Sequence, residues 1–181
     1  MNNKPKLALV FRMVSALREK GNWTGETSIH KSIYILQKLM NVPIDYEFTL
    51  YLHGPFSFDL RDVISMGIAY DYLAREYVSH VYGPKYQLTD LSRQFLKCNN
   101  ELIDQYSEQV NKVCDIVSDK GVGSLEKLAT ALYAIKELKL SQENAIKKLH
   151  ALKPHISIEE ATIAVKKMQE LIKDNQQPAF D

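Results

Sequence analysis

The chain has 181 residues, 45% of them apolar, and its 23 Lys and Arg against 22 Asp and Glu leave a net charge of +1. That supports one sizeable domain or two small ones sharing an interface. The balance argues against a generic nucleic-acid coat while leaving a site-specific reader open, and no apolar run approaches the roughly 20 residues of a membrane span.

In chain order, Leu7, Val10, Phe11, Val14 and Leu17 have helical spacing and predict a helix over 5–20, stopped at Gly21-Asn22. A second helix, capped by Thr27 or Ser28, runs through Ile29, Ile33, Leu36 and Met40 until Pro43. Residues 46–52 are aromatic and β-branched and predict a strand, followed by a Gly54-Pro55 turn. Ser57 is a good cap for a short helix from Phe58 to Met66, ended by Gly67. Residues 73–81 and 85–88 read as a hairpin turning at Gly83-Pro84, and Thr89 or Asp90 caps the next helix. From about 100 the pattern is helical. Leu102, Tyr106, Val110, Val113 and Val117 form one stripe, and Ser124 and Ser141 start two further helices. Ser157-Ile158-Glu159-Glu160 is a capping box opening a last helix with Ile163, Val165, Met168 and Leu171, and a frayed tail runs from 175.

The expected fold is therefore α+β, mainly α. A winged-helix-like half with a β-hairpin wing (1–98) precedes a C-terminal helical region (99–181).

Catalytic signals are sparse. No phosphate-binding or dinucleotide loop is present, and Gly54-Pro55 and Gly83-Pro84 lack Gly-x-Gly spacing. None of His30, His53, His80, His150 and His155 pairs at metal-ligand spacing, so no metal and no cofactor are expected. His53 suits a backbone hydrogen bond beside its turn better than catalysis. Asp59 and Asp62 share a helix face and favour the helix N-terminus rather than an acid-base pair. Cys98 and Cys114, sixteen apart in one helical region, would be roughly 24 Å apart, too far to bridge. They read as reduced thiols of a cytoplasmic protein, Cys114 as a small buried hydrophobe. Met1-Asn2-Asn3-Lys4-Pro5-Lys6 looks like a charged leader, but Arg12 and Arg18 interrupt the apolar residues after it and no cleavage site appears.

The richer signal is aromatic. Tyr46, Phe48, Tyr51, Phe56 and Phe58 cluster around the first strand, and Tyr70, Tyr72, Tyr77, Tyr82 and Tyr86 around the wing. Strand alternation cannot bury all of them, and exposed tyrosines suit a partner interface. The first forty residues are basic, with Lys4, Lys6, Arg12, Arg18, Lys20, Lys31 and Lys38 against Glu19 and Glu26. They read as a solvated helix face or as a platform for phosphate or an acidic protein.

The stretch Ile29-His30-Lys31-Ser32-Ile33-Tyr34-Ile35-Leu36-Gln37-Lys38-Leu39, with Tyr46-Glu47-Phe48-Thr49-Leu50-Tyr51-Leu52-His53-Gly54-Pro55-Phe56-Ser57, resembles the YwgA-like proteins of bacteria, archaea and phages. It is more distantly similar to the Panacea antitoxin domain. Met66-Gly67 and the exit Tyr86-Gln87-Leu88-Thr89-Asp90 extend the likeness to about residues 5–97. His53 stands where the family often has Tyr, and His30-Lys31-Ser32 where Lys-Leu-Gln-Lys is usual.

The resemblance implies a non-enzymatic protein of mobile or defence loci. It would bind a toxin or a defence-system subunit by protein contact. The expected partner-binding residues are Tyr51, His53, Phe56, Ser57 and Arg61. The alternative is a winged-helix DNA-binding regulator using Lys31, Lys38, Arg61 and Lys85. Asp59 and Asp62 on the would-be recognition helix repel phosphate and favour a protein partner. Either mode admits a homodimer, and neither needs a membrane.

Overall fold

The computed structural model describes residues 3–78, 83–118 and 120–176. In chain order its elements are α1 (Asn3–Glu19), α2 (Glu26–Lys38), β1 (Thr49–Tyr51), β2 (Gly54–Phe56), α3 (Phe58–Ala69), β3 (Leu73–Glu76) and β4 (Lys85–Leu88), then α4 (Asp90–Lys97), α5 (Asn100–Gln105), α6 (Ser107–Val117), α7 (Val122–Lys136), α8 (Gln142–Leu152) and α9 (Ile158–Gln176). The fold is α+β and mainly α, with two separate two-stranded antiparallel hairpins, β1–β2 and β3–β4. Among the described residues no helix is long and apolar enough to cross a membrane.

Helix α2 is the centre of the molecule. Every residue from Ser28 to Leu36 is buried, so the helix has no solvent face along that run. It packs against α1, α6, α7 and β2, and one apolar cluster runs from Leu9 and Phe11 through Ile33 and Leu36 to Leu132 and Val165. Both halves of the sequence thus contribute to one core. Side-chain caps start several helices: Ser57 accepts from the Leu60 amide, Thr89 from Ser92 and Ser141 from Asn144. The capping box forms reciprocally, with the Glu160 amide on Ser157 Oγ at 3.1 Å and the Ser157 amide on Glu160 Oε2 at 3.0 Å.

Several boundaries differ from the sequence expectation. The first strand is only Thr49–Tyr51, and Gly54-Pro55 is not a turn. These two residues belong to β2, where Tyr51 faces Gly54 and Leu50 faces Pro55, so Leu52-His53 forms the tip. A proline is tolerated because β2 pairs on one side only and its missing N–H costs no ladder bond. Gly67 does not end α3, which runs to Ala69. It lies inside the helix, where a Cβ would stand 3.0 Å from Leu73, and its bare backbone lets the helix sit close to β3.

Helices α2 and α7 start at Gly25 and Gly121 without side-chain caps, not at Thr27, Ser28 or Ser124. Helix α2 stops at Lys38, before Met40 and Pro43, and Asn41 takes a left-handed turn. The stripe from Leu102 to Val117 is broken at Tyr106, between α5 and α6. Cys98 and Cys114 therefore lie on different elements, both free, the first exposed and the second buried. Ile163 faces outward, and Ala161, Ala164, Val165 and Met168 make the buried face of α9. Strand β3 ends at Glu76 rather than near residue 81; residues 79–82 and the tail 177–181 lie outside the described residues.

Gly54 has φ +89°, and a Cβ there would meet Thr130 Oγ1 at 2.8 Å. Gly54→Val is expected to destabilise the fold by about 2 kcal/mol or more, through left-handed strain and this clash. Urea denaturation checks it; a loss below about 0.5 kcal/mol would remove Gly54 as an organising position.

Candidate functional site

The β1–β2 hairpin lies over α2 and α7, and the contact beneath it is polar and charged. Lys31 is 1% exposed, Glu126 5% and Lys153 6%, so three ionisable side chains are held out of water together. Such burial is costly unless each charge finds partners. Lys31 Nζ donates to the Pro55 carbonyl at 2.8 Å. Lys153 Nζ donates to the carbonyls of Tyr51 and Leu52 and lies 3.1 Å from Glu126 Oε1. That last contact is an ion pair without hydrogen-bond geometry, since Oε1 accepts no hydrogen bond. His53 Nδ1 approaches the other carboxylate oxygen at 3.4 Å, and His155 stands 3.9 Å from Oε1.

Burial pulls the Lys31 ammonium down to about 8; Glu126 opposes that shift and Lys153 adds to it. His30 is fully buried beside Lys31, and its Nδ1 accepts the Ser57 amide at 3.2 Å. Nε2 then carries the ring proton and faces Glu26 at 3.9 Å, beyond hydrogen-bond reach. Burial, with the charges of Lys31 and Arg61, lowers the His30 imidazolium to about 3, so the ring is neutral at ordinary pH.

A stack of rings leads from this buried layer to the surface. His30 lies parallel to Phe56, with centroids 4.2 Å apart and 5° between planes. Phe56 meets Tyr51 at 5.6 Å and Phe58 at 5.2 Å, and the Arg61 guanidinium sits 5.0 Å above the Phe58 ring. Tyr51 is 52% exposed and Phe58 48%, and Leu52 and His53 at the hairpin tip are exposed as well. A cavity of about 180 Å³, lined by Lys31, Thr27, Tyr51, His53 and Phe56 among others, opens beside the tip.

Of the residues expected to bind a partner, Tyr51, His53, Phe56 and Arg61 come together on this face. Ser57 does not join them: it is buried and its hydroxyl caps α3. His53 turns to the Glu126 carboxylate rather than to backbone.

The basic residues do not assemble into one surface. Lys31 is inside; Lys38 pairs with Glu137 at 2.8 Å; Lys85 lies 4.5 Å over the Trp23 ring in the wing. Arg12 pairs with Glu19, Arg18 with Glu76 and Lys20 with Asp115, so most of the basic N-terminal face is spent inside the molecule. Burial raises the Cys114 thiol to about 11, which keeps it protonated and unreactive. Among the described residues no three His, Cys, Asp or Glu side chains are placed to hold a metal ion; His80 lies outside them.

Sequence reasoning missed Glu126 and Lys153, and it placed Phe58 in the aromatic cluster without naming it among the partner-binding residues. Glu126 left a readable trace, a carboxylate next to Leu125 and Leu128 on the apolar face of α7. The chain matches no protein-family model, and no curated protein matches it significantly.

Two consequences can be measured. Glu126→Gln leaves Lys153 and Lys31 buried without their counter-charge and is expected to cost about 3 kcal/mol of stability. Equal denaturation midpoints for variant and wild type would show that the carboxylate does not balance these lysines. The His30 shift gives a pH dependence. Its folded value lies below its unfolded value, so the unfolded chain takes the proton first. The stability it supports is intact above pH 6.5 and is lost as pH falls toward 3. In His30→Gln that loss should be shallower, and in the wild type the His30 ring resonances should not titrate between pH 5 and 8.

Proposed function

We propose that this chain is a non-enzymatic, winged-helix-like binding module of the cytoplasm that contacts a protein partner through the face formed by the β1–β2 tip and the start of α3. The observation that carries this reading is the continuous stack of Tyr51, Phe56, Phe58 and Arg61 at the surface. Tyrosine and arginine dominate binding hot spots because they offer large, stiff contact area with a polar end. Here the stack is also pre-organised. Phe56 is clamped on His30, so little side-chain freedom is left to lose on binding.

The resemblance to the YwgA-like and Panacea proteins supports the same class of function, with a toxin or a defence-system subunit as the partner. DNA binding is the second reading, favoured by the β3–β4 hairpin that follows α3, as a wing would, and by Lys85 in it. The outward side of α3 speaks against it. It presents Asp59 and Asp62 beside a single Arg61, and phosphate contacts need several cations.

The test compares Tyr51→Ala and Arg61→Ala with Lys85→Ala in affinity capture from the native host, with nuclease treatment, followed by titration of the partner recovered. Protein contact predicts a nuclease-resistant partner that Tyr51→Ala and Arg61→Ala each weaken by about thirtyfold, with Lys85→Ala near wild type. A nuclease-sensitive partner, with affinity lost in Lys85→Ala and falling steeply with salt, would make DNA binding the function.

A further inference from the structure

The aromatic face continues past Phe58 into an acidic hollow. A cavity of about 190 Å³ opens where the chain enters β1 and where it leaves β2 for α3, lined by Glu47, Phe48, Thr49, Phe58 and Asp59. Phe58 belongs both to this lining and to the surface stack, so the two form one continuous surface. Phe48 packs edge-on to the buried Tyr34 ring, with centroids 4.9 Å apart, which holds that wall in place.

The lining carries two carboxylates and, among the described residues, no cation. Glu47 and Asp59 are both exposed, and neither has an ion pair or a side-chain hydrogen bond among the described residues. Arg61 does not answer them: it lies 3.7 Å from Asp62 and 5.0 Å over the Phe58 ring. Carboxylates beside aromatic rings repel an anion. They favour an ammonium or guanidinium, which gains charge-assisted hydrogen bonds and ring attraction together. Asp59 also lines a larger cavity of about 270 Å³ between α1 and α3, whose walls include Leu7, Val63, Met66 and Tyr72. Lys6, which lines it too, holds the Asp45 carbonyl at 2.8 Å. Two hollows therefore meet at one carboxylate, the smaller suited to a cation and the larger to an apolar group.

A small free cation would gain little here, because exposed carboxylates are well screened by water. A protein segment that covers the aromatic stack excludes that water and strengthens the same attraction. We propose that the partner segment on this face is basic: it seats a lysine or arginine side chain in the cavity of Glu47 and Asp59, and a neighbouring apolar side chain in the larger cavity. This inference rests on the reading of the aromatic face as a protein contact.

The test is selection of a phage-displayed random peptide library on the full chain, then calorimetric titration with a synthetic copy of an enriched peptide. Enriched peptides are expected to share a Lys or Arg close to a bulky apolar residue. Neutralising both carboxylates, in the double variant Glu47→Gln and Asp59→Asn, should weaken binding about tenfold or more and flatten its salt dependence. Replacing the peptide's basic residue by glutamine should cost wild type a similar factor, whereas Asp59→Glu should retain binding. Both carboxylates are exposed, so thermal midpoints near wild type will confirm that the variants are folded. Failure to enrich any peptide, enrichment of peptides without a basic residue, or unchanged affinity in the double variant would overturn the proposal. Affinity lost in Tyr51→Ala but kept in the double variant would overturn the basic segment and leave the protein-contact face standing. Affinity lost in the double variant but kept in Tyr51→Ala would support the cation site and overturn the face.

Discussion

Everything at the hairpin depends on an ammonium group held out of water. Lys31 sits in the middle of α2, where the neighbouring residues are buried on every side, and nothing local solvates its charge. Isolated charges in such places cost several kcal/mol, so the fold must deliver acceptors to it. One is the Pro55 carbonyl, which brings β2 down onto the helix; the compensating carboxylate is Glu126, which arrives from α7. Lys153 then bridges Glu126 to the two carbonyls at the hairpin tip. A three-residue strand pair has little stability of its own in water. Here charge satisfaction, more than ladder hydrogen bonding, fixes where the hairpin lies. That position in turn stacks Phe56 on His30 and turns Tyr51 outward.

Features with local causes were legible in the sequence. Ser57, Ser141 and Ser157 each act within three residues and cap as expected, and Thr89 does so in place of its alternative Asp90, whereas Thr27, Ser28 and Ser124 lie inside helices that start at glycines. The amphipathic period placed α1, α2, α7 and α9 to within a few residues, but it ran α5 and α6 together across the break at Tyr106. The Gly54-Pro55 pair misled because it signals an unusual backbone without saying which residues form the tip. Its φ of +89° serves a close approach to Thr130 and Lys31 instead of a reversal. The charged layer was illegible for a different reason. Glu126 is 73 residues from His53, and Lys153 is 102 from Tyr51, so no spacing rule connects them. Ser57 looked available because a cap and an exposed hydroxyl have the same sequence signature; only packing separates them.

Long-range pairing also explains why net charge says little about nucleic acid here. The N-terminal half carries the surplus of Lys and Arg, yet Glu76, Asp115 and Glu137 answer Arg18, Lys20 and Lys38 across the fold. Exposed pairs of this kind stabilise little individually. Their consequence is for recognition: a cation already facing a carboxylate offers less field to a phosphate. A basic stretch in the sequence has become a nearly neutral surface through partners that come from later in the chain.

Helix α3 connects the aromatic face to the larger cavity because its twelve residues carry three separate stripes. Successive residues turn by roughly 100°. Leu60, Ile64 and Gly67 therefore share one side and are buried, and Gly67 admits Leu73 closely enough to fix the helix height. Phe58, Arg61 and Ser65 share a second side, which faces solvent beside the hairpin. Asp59, Val63 and Met66 share the third, which with the C-cap residue Tyr70 lines the cavity of about 270 Å³ between α1 and α3. The first turn is pinned by the Ser57 hydroxyl, whose backbone amide is in turn held by neutral His30. Rotating α3 by one residue's angle would carry Asp59 toward the core and Leu60 toward the aromatic face. The cap therefore sets more than where the helix starts: it sets which side chains meet the aromatic stack and which meet the cavity. Because the His30 acceptor lies next to Lys31 in sequence, the residue that seats the hairpin and the residue that orients α3 share a single turn of α2.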